Sequence, residues 1–252
     1  MIQTDLNCDM GESYGSYSLG NDQEVIKYVS SVNIACGYHA GDPATMDTTV
    51  QLAIKHNVRI GAHPGLPDLN GFGRREMKLT PSEVYQLIVY QVGALNGFVQ
   101  ANGAKLNHVK PHGALYNMAA KDKTIANAIA EAIYHLDTSL TLFGLSNSEL
   151  TKAGEKLGIP VAHEVFADRT YQADGSLTPR SEPNAVLTSE EAAMTQIDQM
   201  IKHQTVTTVD GKTIPLKADT ICIHGDNPKA VGFAKQLYQH FISSGIKLGN
   251  LS

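Results

Sequence analysis

The chain has 252 residues, 42% hydrophobic and 18% charged, with a formal net charge of −5. That composition supplies a buried core and excludes a disordered chain, and the acidic balance gives no basic footprint for nucleic acid or an anionic membrane surface. The length suits one α/β barrel over residues 1–252, and neither a sequence repeat nor a Pro/Gly/Ser-rich linker divides it.

The amino end, Met1-Ile2-Gln3-Thr4-Asp5, lacks the basic and apolar regions of a signal peptide. No apolar run reaches membrane-spanning length, so a cytoplasmic protein is expected. Cys8, Cys36 and Cys222 are odd in number, widely spaced and set in apolar runs, which predicts buried small hydrophobes in place of a disulfide framework or zinc knuckle.

Taken in chain order, strand character recurs at 4–9, 32–36, 58–63, 106–110, 140–145, 160–166 and 220–224. Helical spacing fills most of the gaps. Asp42-Pro43 opens a helix that keeps Met46, Val50, Ala53 and Ile54 on one face as far as Lys55-His56-Asn57. Thr80-Pro81-Ser82-Glu83 and Thr188-Ser189-Glu190-Glu191 read as capping boxes. The alternation predicts a parallel sheet covered by helices, either a closed barrel or an open sheet. Residues 205–214 break the rhythm, because Asp210-Gly211 between two β-prone runs marks a hairpin excursion near 205–216.

Nearly every expected strand ends in a polar side chain next to glycine or proline. These ends are Asn7-Cys8-Asp9-Met10-Gly11-Glu12, Cys36-Gly37-Tyr38-His39-Ala40-Gly41-Asp42, His63-Pro64-Gly65, Lys110-Pro111-His112-Gly113, Asp168-Arg169 and His224-Gly225-Asp226. In a parallel α/β fold the loops after the strands open on one rim, so these groups are expected to converge. His56, His135, His203 and His240 instead sit late in helical segments, where a cation suits the helix dipole. Gly71-Phe72-Gly73-Arg74-Arg75 reads either as a flap bearing a carboxylate-binding arginine or as a solvated surface loop. Gly211-Lys212-Thr213 is no phosphate loop, since Val206 stands where the required earlier glycine would be. No Gly-x-Ser-x-Gly elbow supplies a serine nucleophile, so water is the expected attacking group.

Together with Val109-Lys110-Pro111-His112-Gly113-Ala114-Leu115-Tyr116 and Phe166-Ala167-Asp168-Arg169, these motifs, in this order over nearly the whole chain, resemble the LamB/YcsF family. The resemblance implies a seven-stranded parallel β/α barrel of the glycoside hydrolase/deacetylase type. It also implies a cyclic-amide hydrolase that opens 5-oxo-L-proline to L-glutamate with ATP hydrolysis, in a complex with two further subunits, B and C.

Within such a site Asp9 is the expected general base for water, oriented by Asn7, with Asp168 in reserve. Lys110 is expected to stabilise a developing oxyanion or to sit in a buried ion pair, and His112 or His224 to protonate the departing nitrogen. Arg169 is expected to hold the substrate carboxylate, with Glu12, His39, His63 and Asp226 lining the binding site. Barrels of this type often hold a divalent metal on an aspartate and two histidines, a set that Asp9, His39 and His63 can supply, although the His-x₃-His pair of metal-dependent deacetylases is missing. Two other functions fit the same residues: a metal-dependent carbohydrate N-deacetylase, which needs no ATP, and a non-catalytic ligand-binding role in the complex.

Overall fold

Period-two patterning shapes the first strand, where Asp5, Asn7 and Asp9 alternate with Leu6, Cys8 and Met10. In the computed structural model, which describes residues 3–179, 182–223 and 230–249, the two sets face opposite sides of a closed sheet. Seven parallel strands form it: β1 (Gln3–Met10), β2 (Ser31–Ala35), β3 (Arg59–His63), β4 (Leu106–Val109), β5 (Thr141–Leu145), β6 (Val161–Phe166) and β9 (Thr220–Ile223). Closure comes from β9, which pairs with β6 on one side and with β1 on the other. Each expected strand coincides with one of these to within two residues at the ends that are described. A short β10 (Lys247–Leu248), which carries no strand signal in the sequence, pairs with Gln3 and Thr4 at the start of β1.

The helices close their ends as the sequence chemistry predicts. After the single turn of α1 (Asp22–Val25), Asp42 caps α2 (Pro43–Lys55) by accepting from the Thr45 amide, and Thr80 with Glu83 forms a full capping box on α3 (Pro81–Ala101). Two helices, α4 (Gly113–Lys121) and α5 (Lys123–Leu136), follow β4, and α6 (Glu149–Leu157) follows β5. The cap of α7 (Glu190–His203) differs in its residue: Ser189, not Thr188, accepts from the amide of Ala192. Along α5, Ile125, Ile129 and Ile133 are buried on one face, each contributing about 1.5–3 kcal/mol relative to an exposed side chain.

The expected excursion is an antiparallel hairpin, β7 (Thr205–Thr207) with β8 (Thr213–Pro215), turning at Gly211 in the left-handed region. A second excursion, after β6, has no counterpart among the sequence expectations. Bridges between Arg169 and Val186 and between Tyr171 and Leu177 give it its shape. No described helix is long and apolar enough to cross a membrane.

Candidate functional site

The inner face of the barrel is polar. Asp5, Asn7, Ser31, Asn33, His108, Glu164 and Thr220 are all 0% exposed, so each must find partners or cost several kcal/mol. They find one another. Asp5 accepts from Ser30, Ser31, Arg59 and Thr220, and Asn7 donates to Thr220 Oγ1 (2.7 Å) and Glu164 Oε1 (3.0 Å). Asn33 donates to Asn7 Oδ1 (2.7 Å) and Asp9 Oδ1 (2.8 Å), while its own oxygen lies 2.7 Å from His108 Nε2. His108 stacks on Phe143 and fits because position 61 is glycine, where a Cβ would lie 2.0 Å from His108 Nε2.

At the mouth this network ends on Lys110. Its backbone amide donates to Ala62 (2.9 Å), extending the β3–β4 ladder and aiming the side chain inward. Its Nζ lies 2.8 Å from Glu164 Oε1, 3.0 Å from Asp9 Oδ1, 3.3 Å from Asn7 Oδ1 and 3.1 Å from Cys222 Sγ. Burial alone would push the ammonium down, but Asp9 and Glu164 outweigh it and hold the pKa well above the usual lysine value. Tyr116 on α4 donates to the other oxygen of Glu164 (2.6 Å). Burial drives the Cys222 thiol well up, so it is a neutral neighbour here, and Cys8 and Cys36 are likewise buried and free.

A second cluster stands beside the first. His63 ends β3, His39 and His112 lie in the loops after β2 and β4, and Glu12 follows β1. His63 Nδ1 lies 2.7 Å from the Lys110 carbonyl and His112 Nε2 lies 2.8 Å from the Phe72 carbonyl. A carbonyl only accepts, so both of these nitrogens carry protons. The remaining nitrogens, His63 Nε2 and His112 Nδ1, face each other at 3.0 Å. In neutral rings both present lone pairs, which a cation between them would satisfy. His39 stacks on His112 with ring centres 3.7 Å apart, neither of its nitrogens has a hydrogen-bond partner, and its Nε2 lies 3.5 Å from Glu12 Oε1. Burial, reinforced by the neighbouring histidines, holds the His39 pKa well below the usual value, and burial with His63 takes His112 down to about 3.

One ligand atom from each of Glu12, His39, His63 and His112 falls within 4.8 Å of the others. Three imidazoles and a carboxylate, two of the rings oriented by backbone carbonyls, form a donor set that fits a divalent transition metal. The loop over the rings is close: a Cβ at Gly73, which has φ +62°, would lie 2.7 Å from His39 Cβ. This set shares His39 and His63 with the expected Asp9, His39 and His63 and adds Glu12 and His112, while Asp9 stands beside it with Oδ1 engaged by Lys110 and Asn33 and Oδ2 3.4 Å from His63 Nε2.

Both clusters open on a cleft of about 990 Å³ whose walls include Arg74, Lys121, Ser146, Lys152, Arg169 and Thr178. Of the residues singled out from sequence, Asp9, Glu12, His63, Lys110 and His112 line it, with Asn7 and His39 buried behind them against Lys110 and His112. Arg169 lines the cleft, but its guanidinium donates to the carbonyls of Thr178 (2.6 Å) and Ala185 (3.2 Å) and so holds the excursion after β6. Asp168 is half-buried, its backbone oxygen accepting from Leu187, and it is not among the described residues that line the cleft. His224 and Asp226 lie outside the described residues. In the 71–75 loop Arg74 faces the cleft and Arg75 pairs with Asp68. Strand ends did not reveal Glu164, Asn33 or Tyr116. The available signal for Glu164 was a carboxylate inside the otherwise apolar stretch Val165-Phe166-Ala167 and its predecessors, a place that demands a buried partner.

Comparison with known proteins agrees with this architecture. A family model described as the LamB/YcsF family matches residues 4–252. The 5-oxoprolinase A subunit of Bacillus subtilis is 56% identical over 252 residues, covering 100% of this chain and 98% of the relative. That of Geobacillus kaustophilus is 59% identical over 248 residues, covering 98% and 96%. Among solved structures, the lactam utilization protein of Thermus thermophilus superposes with a TM-score of 0.93 at 43% identity, over 98% of this chain and 99% of that one. A family 4 carbohydrate esterase from Streptomyces lividans shares the fold alone, with a TM-score of 0.52 at 11% identity over 100% of this chain and 93% of that one. By sequence over nearly its whole length and by structure, the chain belongs to the LamB/YcsF family.

Proposed function

We propose that this chain is the ring-opening component of an ATP-dependent 5-oxoprolinase, working with two partner subunits, B and C, on 5-oxo-L-proline. The relatives named as the A subunit of 5-oxoprolinase support the substrate. The observation that carries the chemistry is the Lys110 ammonium held between Asp9 and Glu164 at the floor of the cleft.

A five-membered lactam is a poor electrophile, and acid–base catalysis contributes only about 10²–10⁴-fold. Transfer of the ATP γ-phosphoryl group to the amide oxygen supplies a leaving group, and the overall reaction consumes two waters to give glutamate, ADP and phosphate. Gly211-Lys212-Thr213 lies in the β7–β8 hairpin, not at a strand-to-helix turn, which favours placing phosphorylation on the partners. ATP consumption also favours a cytoplasmic enzyme.

Asp9 is the base. Its Oδ1 is held by Lys110 and Asn33, and its Oδ2 is turned toward His63 (3.4 Å). In the phosphorylated lactam it takes a proton from the first attacking water and returns it to the ring nitrogen as the C–N bond breaks, while Lys110 stabilises the negative phosphoryl oxygen. The second water then hydrolyses the resulting acyl phosphate to glutamate and phosphate. His112, with a pKa near 3, is neutral at physiological pH and is a weak candidate for the proton donor expected from sequence. A divalent cation on Glu12, His39, His63 and His112 would polarise the carbonyl or lower the pKa of a bound water.

The same cluster favours one other function, a metal-dependent amide hydrolase that needs no ATP. Glutamate release measured with every combination of the three subunits separates the two. Release is expected only from the full set with ATP, and negligible from this chain alone. Robust ATP-independent release by the isolated chain would overturn the division of labour.

A further inference from the structure

Ser146 follows β5 directly, and its amide donates to the Glu164 carbonyl (3.0 Å), one step past the Leu145–Glu164 pair. It lies on the wall of the same cleft. The residue is 3% exposed, and among the described residues its hydroxyl has no hydrogen-bond partner. A buried hydroxyl in that state is destabilising, and a group kept at such a cost at the wall of a cleft points to a ligand.

The surroundings say which kind. Two residues on, Ser148 caps α6, a nine-residue helix whose amino end opens on the cleft. The positive end of the helix dipole favours an anion there. Lys152 from the second turn of α6 and Lys121 from the end of α4 line the same side, although Lys152 also pairs with Glu149 (2.8 Å) at the rim. The carboxylates of Asp9 and Glu12 lie at the other end, among the histidines, where an anion would be repelled. A ligand with a negative group at one end and an amide at the other is thus oriented with its negative group toward α6. Arg169, the residue expected from sequence to hold that group, lines the same cleft and also donates from its guanidinium to the Thr178 and Ala185 carbonyls.

We infer that the Ser146 hydroxyl, at the amino end of α6, receives the carboxylate of the lactam substrate and sets the preference for an acid over its neutral analogues. This rests on the ring-opening function proposed above. Ser146 does not touch the reacting bond in this arrangement; it fixes which way round the ring enters.

The test uses the assembled three-subunit enzyme carrying Ser146→Ala or Ser146→Thr. Loss of a hydrogen bond to a charged group predicts a KM for 5-oxoproline raised about 10- to 100-fold in the alanine variant, with kcat within about 3-fold. Threonine keeps the hydroxyl and should restore most of the affinity. Removing a hydroxyl that has no protein partner should leave the Tm of the isolated chain unchanged or slightly higher, whereas a structural serine would lower it. With 5-oxoprolinamide as competitive inhibitor, the acid-over-amide preference of the wild type should collapse in Ser146→Ala. An unchanged KM, an equal loss for acid and amide, or a fall in Tm with kcat and KM intact would each overturn the assignment. If the wild-type assembly releases no glutamate from 5-oxoproline, the ring-opening function itself falls and takes this subsite with it. If it does and Ser146→Ala matches it, only the subsite falls.

Discussion

Lys110 and His39 are both buried at the barrel mouth, 3% and 1% exposed, but their surroundings are opposite in kind. The lysine has four partners within 3.3 Å, two of them carboxylates, and each of those is tied back into the barrel interior. The histidine has no hydrogen-bond partner, and its two neighbouring rings turn lone pairs toward a common point. A charged centre is stable in a low-dielectric place only when it is closed in this way, and a set of neutral donors left open is stable only when something completes it. One cluster is therefore finished by the chain itself and the other is built to take a visitor.

The contrast breaks most readily at Lys110. In Lys110→Met, Asp9 and Glu164 lose their buried counter-charge, which should cost about 3–5 kcal/mol and lower Tm by about 6–20 °C. Turnover of the assembled enzyme should fall about 10³-fold or more with the oxyanion partner gone. A variant that keeps wild-type turnover would place the reaction elsewhere. Asp9→Asn is gentler on the fold, since Lys110 retains Glu164 at 2.8 Å. It should cost about 10²-fold or more in turnover with a near-native melting curve, and retained turnover would move the base to another group.

The open cluster is tested by titration with zinc or cobalt. Wild-type protein should retain one equivalent through gel filtration and, at a concentration about 100-fold above Kd, gain about 2.7 kcal/mol, or roughly 5–10 °C in Tm. His39→Ala should lose the bound metal while Lys110→Met keeps it. Should neither metal bind, the alternative is a proton shared by His63 and His112, visible as an imidazolium in their ¹⁵N spectra.

The two clusters also differ in how far the sequence discloses them. Strand ends followed by glycine or proline expose Asp9, His39, His63, Lys110 and His112, because parallel strands deliver their carboxyl ends to one rim whatever the details of packing. The barrel is legible for the same reason, in seven apolar runs with helical segments between them. Glu164, Asn33 and Tyr116 stay hidden because they lie inside elements, and what matters about them is a partner on a strand distant in sequence, such as Asn7 for Glu164. The four residues that could hold a metal escape a reading of sequence for a related cause: which ligand atoms from separate strand ends and loops fall within reach of one another is a fact of distance and not of spacing. Nothing in the motif around Arg169 shows the Thr178 and Ala185 carbonyls to which its guanidinium donates.

The smallest effect separates the clusters by pH. His112 has its folded pKa lowered to about 3 and His39 is lowered too, from ordinary values near 6.5. Below about 6.5 the unfolded chain therefore binds protons that the folded chain refuses, and stability falls as the solution is acidified. At about 1.4 kcal/mol per pH unit for each such histidine, His112 alone should cost about 2 kcal/mol by pH 5, or roughly 4–8 °C in Tm. Lys110 behaves in the opposite sense. Its folded pKa is raised, so its contribution is complete below the ordinary lysine value, is flat across this acid range and is lost only as pH rises through the folded pKa. Melting curves of metal-free protein between pH 7.5 and 5 should thus report the histidines and leave the lysine silent. His112→Asn should flatten the acid limb; an acid limb already flat in the wild type would mean that the folded cluster takes up protons, and that it is closed by its own carboxylates after all.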